Sequence, residues 1–151
     1  MITDASLTLS AAQAVTASAV STNTIDLGQA RDIGSGDEAQ ILIRVATTVT
    51  AAGAATVNFQ VITSVSANLS TPTILGQSDA IPKAVLVAGA QIWLAVPRSF
   101  INKLGQRYLG LQYTVGTGPL TAGAFDCFVL PSESAANIDP PNCYPSGYTV
   151  R

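Results

Sequence analysis

Alternating apolar side chains between Arg107 and Leu130 are the feature of this sequence that most constrains its fold. In the first half, every second residue is apolar: Leu109, Leu111, Tyr113 and Val115. The sequence Gly-Thr-Gly-Pro at 116–119 then interrupts the pattern, and glycine and proline favour a chain reversal. After it, every second residue is apolar again: Phe125, Cys127 and Val129. A period of two is typical of a half-buried strand, so the segment predicts two strands joined by a turn.

Two more stretches show the same period. In Gln40–Val49 the predicted inward residues are Ile41, Ile43, Val45 and Val49. In Ala55–Val65 they are Val57, Phe59 and Val61. Because only a short glycine-containing loop separates these stretches, we predict that they form an antiparallel pair. Shorter strands are predicted at Thr24–Leu27, Thr73–Leu75 and Gln91–Val96.

Trp93 lies on the face of its predicted strand opposite to Ile92, Leu94 and Val96. A strand that is apolar on both faces fits two situations. It is either a central strand buried on both sides or a strand that a partner covers. The sequence leaves both open.

The two ends of the chain are predicted to be extended. Residues Met1–Ser21 carry Ser or Thr every few positions and no helical charge pairs, which favours an edge strand or an arm over a helix. Residues Pro131–Arg151 contain four prolines and no sustained period, so they form a tail and no ordinary strand. Tyr144 and Tyr148 give this tail two large contact groups.

Many short strands with almost no helix predict one all-β domain, an antiparallel sandwich with an N-terminal arm and a C-terminal tail. The length of 151 residues is that of a single domain. We place the domain at residues 1–130 and the tail at 131–151. A jelly roll is the favoured order, and an immunoglobulin-like sandwich stays open. A single helical or 3₁₀ turn is expected at Ser99–Leu104.

The composition predicts a surface that other molecules cover. The chain is 48% apolar and only 11% charged, whereas ordinary soluble domains are about 25% charged. A weakly charged polar surface suits a protein packed against copies of itself or against partners.

Several function classes are disfavoured by what the sequence lacks. The seven basic residues form no run and the net charge is −2, so we expect no nucleic-acid binding. The uncharged stretch 45–78 is interrupted by Thr, Asn, Gln and Ser, so we expect no membrane span. The start of the chain shows no secretory pattern.

Catalytic chemistry is also not expected. The sequence has no histidine, and therefore no Ser-His-Asp triad or histidine metal ligand. The acidic loop with Asp32, Asp37 and Glu38 lacks the spacing of a calcium loop and is expected to be a solvated turn. We therefore predict no enzyme, no metal and no cofactor. Cys127 and Cys143 are expected to be inert thiols, with a bridge between them left open.

Several stretches resemble the small capsid cement proteins of tailed bacteriophages, which have a jelly-roll-like fold. The resemblance covers most of residues 1–130. Its most specific pieces are STNTIDLG at 21–28, STPTIL at 70–75 leading to AIP at 80–82, and RYLGLQYTV at 107–115.

The resemblance implies a symmetric oligomer, of two or three copies, on the outside of an icosahedral head, where it bridges major capsid subunits. Such a protein is made in the host cytoplasm and becomes part of the virion. We expect its interface to include Leu7, Leu9, Trp93, Tyr144 and Tyr148. Two alternatives are a carbohydrate-binding sandwich, with the tail tyrosines and Trp93 as stacking groups, and a structural subunit of the phage tail or baseplate.

Overall fold

The computed structural model of the chain describes residues 4–30, 39–97 and 105–131. A 3₁₀ turn at Ala5–Leu7 is followed by ten strands within these residues. The strands are β1 (Thr8–Ala14), β2 (Ala19–Val20), β3 (Ile25–Asp26), β4 (Ala39–Thr50), β5 (Thr56–Ser64), β6 (Thr73–Gln77), β7 (Ile81–Pro82), β8 (Gln91–Ala95), β9 (Tyr108–Gly116) and β10 (Ala122–Pro131). The predictions for the acidic loop, for Ser99–Leu104 and for the tail after residue 131 lie outside the described residues.

The strands form two antiparallel sheets. The first sheet has four strands in the order β1-β10-β4-β8, and the second has the order β2-β9-β5-β6. Strands β2 and β3 both pair with β9, so together they fill one strand position. Strands β6 and β7 both pair with β5 and likewise fill one position. The sandwich therefore has two sheets of four positions each.

This strand order is that of a jelly roll, so the predicted fold class is confirmed. Strand β1 pairs with the last strand, β10, whereas the first strand of an immunoglobulin sandwich pairs with the second. The immunoglobulin-like alternative is therefore excluded. The start of the chain is extended as predicted, because β1 is an edge strand of the first sheet.

The core between the sheets contains the apolar positions that alternation predicted in β4, β5, β9 and β10. At its centre lie three aromatic rings. The ring of Phe59 meets those of Tyr113 and Phe125 edge-on, at centroid distances of 5.9 and 5.2 Å. Tyr113 and Phe125 stack at 5.4 Å. Since Phe125 belongs to the first sheet and the other two to the second, these rings join the sheets across the core.

One predicted strand pair is wrong, and one predicted turn joins strands of different sheets. Strands β9 and β10 are joined by the predicted turn but lie in different sheets, where β9 pairs with β5 and β10 pairs with β1 and β4. Strands β4 and β5 are likewise separated, although a short loop joins them. Each loop crosses the roughly 10 Å between the sheets, so the apolar faces of its two strands meet across the core. Alternation identifies a buried face, but it does not identify the neighbouring strand.

On the outer face of the second sheet, the loop after β5 packs back onto β9. Leu69 is 2% exposed, and its side chain lies directly over Gly110. The loop is held by Ser64, whose Oγ donates to the Ser70 carbonyl at 2.7 Å. A Cβ at position 110 would overlap the Leu69 side chain. Gly110 is therefore required by this close approach.

We predict that Gly110→Ala lowers the free energy of unfolding by about 1–3 kcal/mol, because the added methyl displaces Leu69. Urea denaturation measures this. Gly53→Ala is the matched control, since its Cβ would meet only the Thr117 carbonyl oxygen, at 3.9 Å. Adding Leu69→Ala should make the double variant less destabilised than the sum of the two single variants. Additive losses would contradict the proposed overlap.

Candidate docking surface

A buried hydrogen-bond network ties the edge strand β1 to the middle of the core. The Tyr113 hydroxyl donates to Ser10 Oγ at 2.8 Å and lies 3.1 Å from Cys127 Sγ. Ser10 Oγ donates to Gln13 Oε1 at 2.7 Å, and Gln13 Nε2 donates to the Val20 carbonyl at 2.8 Å. The network therefore pairs the buried hydroxyls of Tyr113 and Ser10 and connects both sheets.

The same network holds its two titratable groups in their neutral forms. Burial, the largest cause, raises the pKa of the Cys127 thiol to about 12. Burial also raises the pKa of the Tyr113 hydroxyl far above its usual value. Neither group is a nucleophile at neutral pH, because the thiolate and the phenolate are not formed. Cys127 is a free thiol, as expected for an inert core residue, and Cys143 lies outside the described residues.

Nothing in the described residues forms a metal site. No group of three or more His, Cys, Asp or Glu side chains is placed to hold an ion among residues 4–30, 39–97 and 105–131. The acidic loop with Asp32, Asp37 and Glu38 lies outside them. In the same part of the chain, no helix has the length and apolarity needed to cross a membrane.

At the surface, an ion pair fastens the short strand β3 to β9. The Arg107 guanidinium donates to both carboxylate oxygens of Asp26, at 2.5 and 2.6 Å. Asp26 Oδ1 also accepts from the Gly28 amide at 2.8 Å. The hydrogen bond from Arg107 is the main reason that the pKa of Asp26 falls to about 2. Arg107 also lies 5.4 Å from the centre of the Tyr108 ring.

The outer faces of the two sheets differ in chemistry. On the second sheet, polar side chains bond to one another. Gln60 Nε2 donates to Gln77 Oε1 at 2.8 Å, and Thr114 Oγ1 donates to Gln60 Oε1 at 3.0 Å. Around Gln60 this face is therefore a hydrogen-bonded layer of amides and hydroxyls, whereas Leu69 covers it at Gly110 and Ile74 of β6 is 48% exposed.

On the outer face of the first sheet, three apolar side chains follow one another across the strands. We call Phe128, Leu42 and Trp93 the outer row, because Leu42 pairs with Phe128 on one side and with Trp93 on the other. Leu42 is completely buried, whereas Trp93 and Phe128 are half-buried. The outer row thus ends in a partly exposed indole on β8, the last strand of the sheet.

The chain leading into β8 continues the edge of this sheet. Residues 84–90 run beside the second half of β4, where the Val49 amide donates to the Leu86 carbonyl at 2.9 Å and the Gly89 amide to the Val45 carbonyl at 2.8 Å. Leu86 is completely buried, whereas Val85 and Val87 are 58% and 49% exposed. We call Ala84–Ala95 the β8 edge. It contains no charged residue.

The residues predicted at the interface lie in different surroundings. Leu9 is completely buried in the core, so its side chain is not on the surface of this fold. Leu7 is partly buried against the core. Trp93 lies on the outer face of an edge strand, not in a central strand. Tyr144 and Tyr148 lie outside the described residues.

Val85 and Val87 were not anticipated as surface residues. They stand in the run KAVLVAGA, which has no polar alternation that could separate an inner face from an outer one. The signal that the sequence did contain is the unbroken lack of charge from Ala84 to Pro97.

We predict that Cys127 resists thiol reagents until the protein unfolds. In a Cys143→Ser variant, Cys127 is the only cysteine. Ellman's reagent should modify it slowly in buffer and fully in denaturant, because burial excludes the reagent and raises the pKa of the thiol. Rapid modification of the folded protein would contradict the burial described for this residue.

We also predict that Asp26 makes the protein sensitive to acid. Its pKa is lower in the folded protein than its ordinary value of 3.8, so its contribution to stability is complete above that pH and is lost as the pH falls toward about 2. Denaturation midpoints between pH 5 and pH 2 should therefore fall less for Asp26→Asn than for the unchanged protein. Asp79→Asn, at an exposed carboxylate, serves as control and should follow the unchanged protein. Parallel curves for all three proteins would refute the prediction.

Comparison with known proteins gives one family. The sequence matches the Bbp16 family over residues 9–129. A search of curated proteins finds no match. The family is phage-associated, which supports the bacteriophage link that the sequence resemblance implied. Because the match runs from β1 into β10 and so includes both sheets, the chain belongs to the Bbp16 family.

Proposed function

We propose that this protein is a structural component of the virion that binds the outer surface of an icosahedral phage head and bridges its major capsid subunits. The observation that carries the proposal is the uncharged β8 edge together with Trp93 at the end of the outer row. A partly exposed indole and two exposed valines on one uncharged edge are apolar groups of the kind that partners cover. Membership of a phage-associated family supports the same conclusion.

Such a protein needs no chemistry, because it stabilises the head by mass action. A molecule that binds only the assembled shell shifts the equilibrium from free subunits toward the shell. Binding at many identical sites makes modest contacts effective, since one copy can touch several subunits at once. A symmetric oligomer of two or three copies, which we also propose, would add to this effect.

A rigid sandwich suits this role. The aromatic cluster and the buried network join both sheets, so contact surfaces on opposite faces keep a fixed distance. Little conformational freedom is then lost when the protein binds, and the bound state costs less entropy.

Two alternatives use the same fold. A tail or baseplate subunit would need the same apolar contacts, and imaging of the protein in virions separates it from a head protein. A carbohydrate-binding module would need exposed aromatic groups close together, whereas in the outer row the buried Leu42 stands between Phe128 and Trp93. A glycan array tests that alternative directly.

We predict that Trp93→Ala weakens binding to heads by about thirtyfold, the effect of losing an interface residue worth about 2 kcal/mol. The measurement is co-sedimentation with heads of the encoding phage prepared without this protein. Tyr108→Ala, at a half-buried aromatic residue of the second sheet, is the matched control and should bind normally. If Trp93→Ala left both head binding and oligomeric state unchanged, Trp93 would not belong to the interface.

A further inference from the structure

Along the outer side of β8, backbone hydrogen-bonding groups have no ladder partner among residues 4–30, 39–97 and 105–131. The Val45 amide donates to the Ala90 carbonyl at 2.9 Å, and the Val96 amide donates to the Ala39 carbonyl at 2.9 Å. The register of β8 on β4 is regular, so Ala90, Ile92, Leu94 and Val96 direct their backbone groups toward β4. The amides and carbonyls of Gln91, Trp93 and Ala95 therefore point away from the sheet, where the described residues supply no ladder partner.

One end of this strand is close to the second sheet. A Cβ at Gly76 of β6 would lie 3.8 Å from the Ala95 carbonyl oxygen. The approach concerns only the Ala95 end, so the free backbone groups are chiefly those of Gln91 and Trp93. The exposed valines belong to the same edge.

The β8 edge lacks the features that protect a free edge strand. Monomeric proteins place lysine, proline or a bulge on such strands, because unpaired backbone groups otherwise recruit another chain. Within Gln91–Ala95 the register contains no bulge, although just before it Gly89 and Ala90 both bond to Val45. The sequence from Ala84 to Ala95 contains neither charge nor proline. The opposite edge strand, β1, does have register shifts. The two edges of the first sheet are therefore not equivalent.

We propose that the β8 edge accepts an extended, uncharged segment of the shell subunit as an additional strand of the first sheet. This inference rests on the proposed function and names the contact by which it operates. Added strands gain affinity from backbone hydrogen bonds, here with Gln91 and Trp93, and selectivity from side chains beside them. An uncharged edge favours an uncharged segment, because a charge placed there would lose its hydration without gaining a partner.

The edge is too small to hold two free copies of the protein together, which favours a shell subunit as the occupant. Of this edge, only the five residues of β8 are extended; they span roughly 17 Å at about 3.3 Å per residue, and a sheet is about 10 Å thick. An added strand thus covers about 170 Å² on each partner, about a fifth of the roughly 800 Å² typical of a stable complex. Such a contact does not hold two free molecules together by itself. It becomes effective where other contacts already hold the partner in place, as on a shell.

The test uses Gln91, because its amide points outward and its side chain is exposed. Gln91→Pro removes one outward donor and leaves the hydrogen bonds to β4 intact. Loss of one such hydrogen bond should weaken binding to heads that lack the protein by about tenfold. Gln91→Glu places a charge at the edge and should weaken binding at least as much. Gln77→Glu makes the same change on β6, the edge strand of the other sheet, and should bind normally.

The outcomes separate this inference from the proposed function. If the unchanged protein does not bind heads, the proposed function fails. If it binds and both Gln91 variants bind equally well, only the added strand is refuted. If the Gln91 variants instead turn an oligomer into monomers by mass measurement and bind heads normally, a second copy occupies the edge and the proposal is also refuted. Should Gln91→Pro unfold, Gln91→Glu with its Gln77→Glu control decides the question.

Discussion

The contact of three aromatic rings across the core is the interaction on which the rest of the structure depends. Phe59 and Tyr113 come from one sheet and Phe125 from the other, so their packing sets the distance and orientation of the sheets. Tyr113 brings a hydroxyl into this apolar centre, and an unpaired hydroxyl there would cost about 1–3 kcal/mol. Ser10 Oγ of β1 accepts a hydrogen bond from this hydroxyl. The first strand is therefore an integral part of the core, and its position follows from the need to satisfy one buried oxygen.

This arrangement leaves the first sheet with two different edges. Strand β1 is irregular, and its Ser10 and Gln13 side chains belong to the buried network. Strand β8 is short and regular, and among the described residues it pairs only with β4. Interior contacts thus hold one edge in place and leave the other with free backbone groups. The proposed docking surface lies at the edge that the core does not use.

Alternation in the sequence predicted which residues face inward, because a strand has a period of two whatever its neighbours are. Ile43, Phe59, Leu111 and Cys127 all lie in the core as expected. The neighbours could not be predicted the same way. A short loop can turn back within one sheet or cross to the other, and the apolar pattern is the same in both cases. The antiparallel pair expected of β4 and β5 failed for this reason.

The candidate surface was only partly predictable for a related reason. The sequence shows Trp93 as an apolar residue on the face opposite to the other apolar residues of its strand. The neighbouring sequence does not show that this strand is the last of its sheet. Leu9 shows the converse, since its alternation fits an arm as well as the core strand to which it belongs. Val85 and Val87 lie in a run that is apolar throughout, where only the buried Leu86 between them reveals the orientation. Whether a strand lies at the edge or in the centre of a sheet depends on the topology, and the period of a single strand carries no information about it.

A free edge without charge is a hazard for a protein in solution, yet it suits attachment to a repeating surface. The contact area that we estimate for an added strand, about 170 Å² on each partner, is too small for strong pairing between free copies. On a shell, as we propose, the same small contact would occur at every equivalent site, and each copy held by one contact would form the next without further loss of translational freedom. A low surface charge, which gives little protection against association in solution, then also avoids desolvating ions at each contact. Weak individual contacts and a rigid scaffold are therefore two parts of one mechanism for stabilising a lattice.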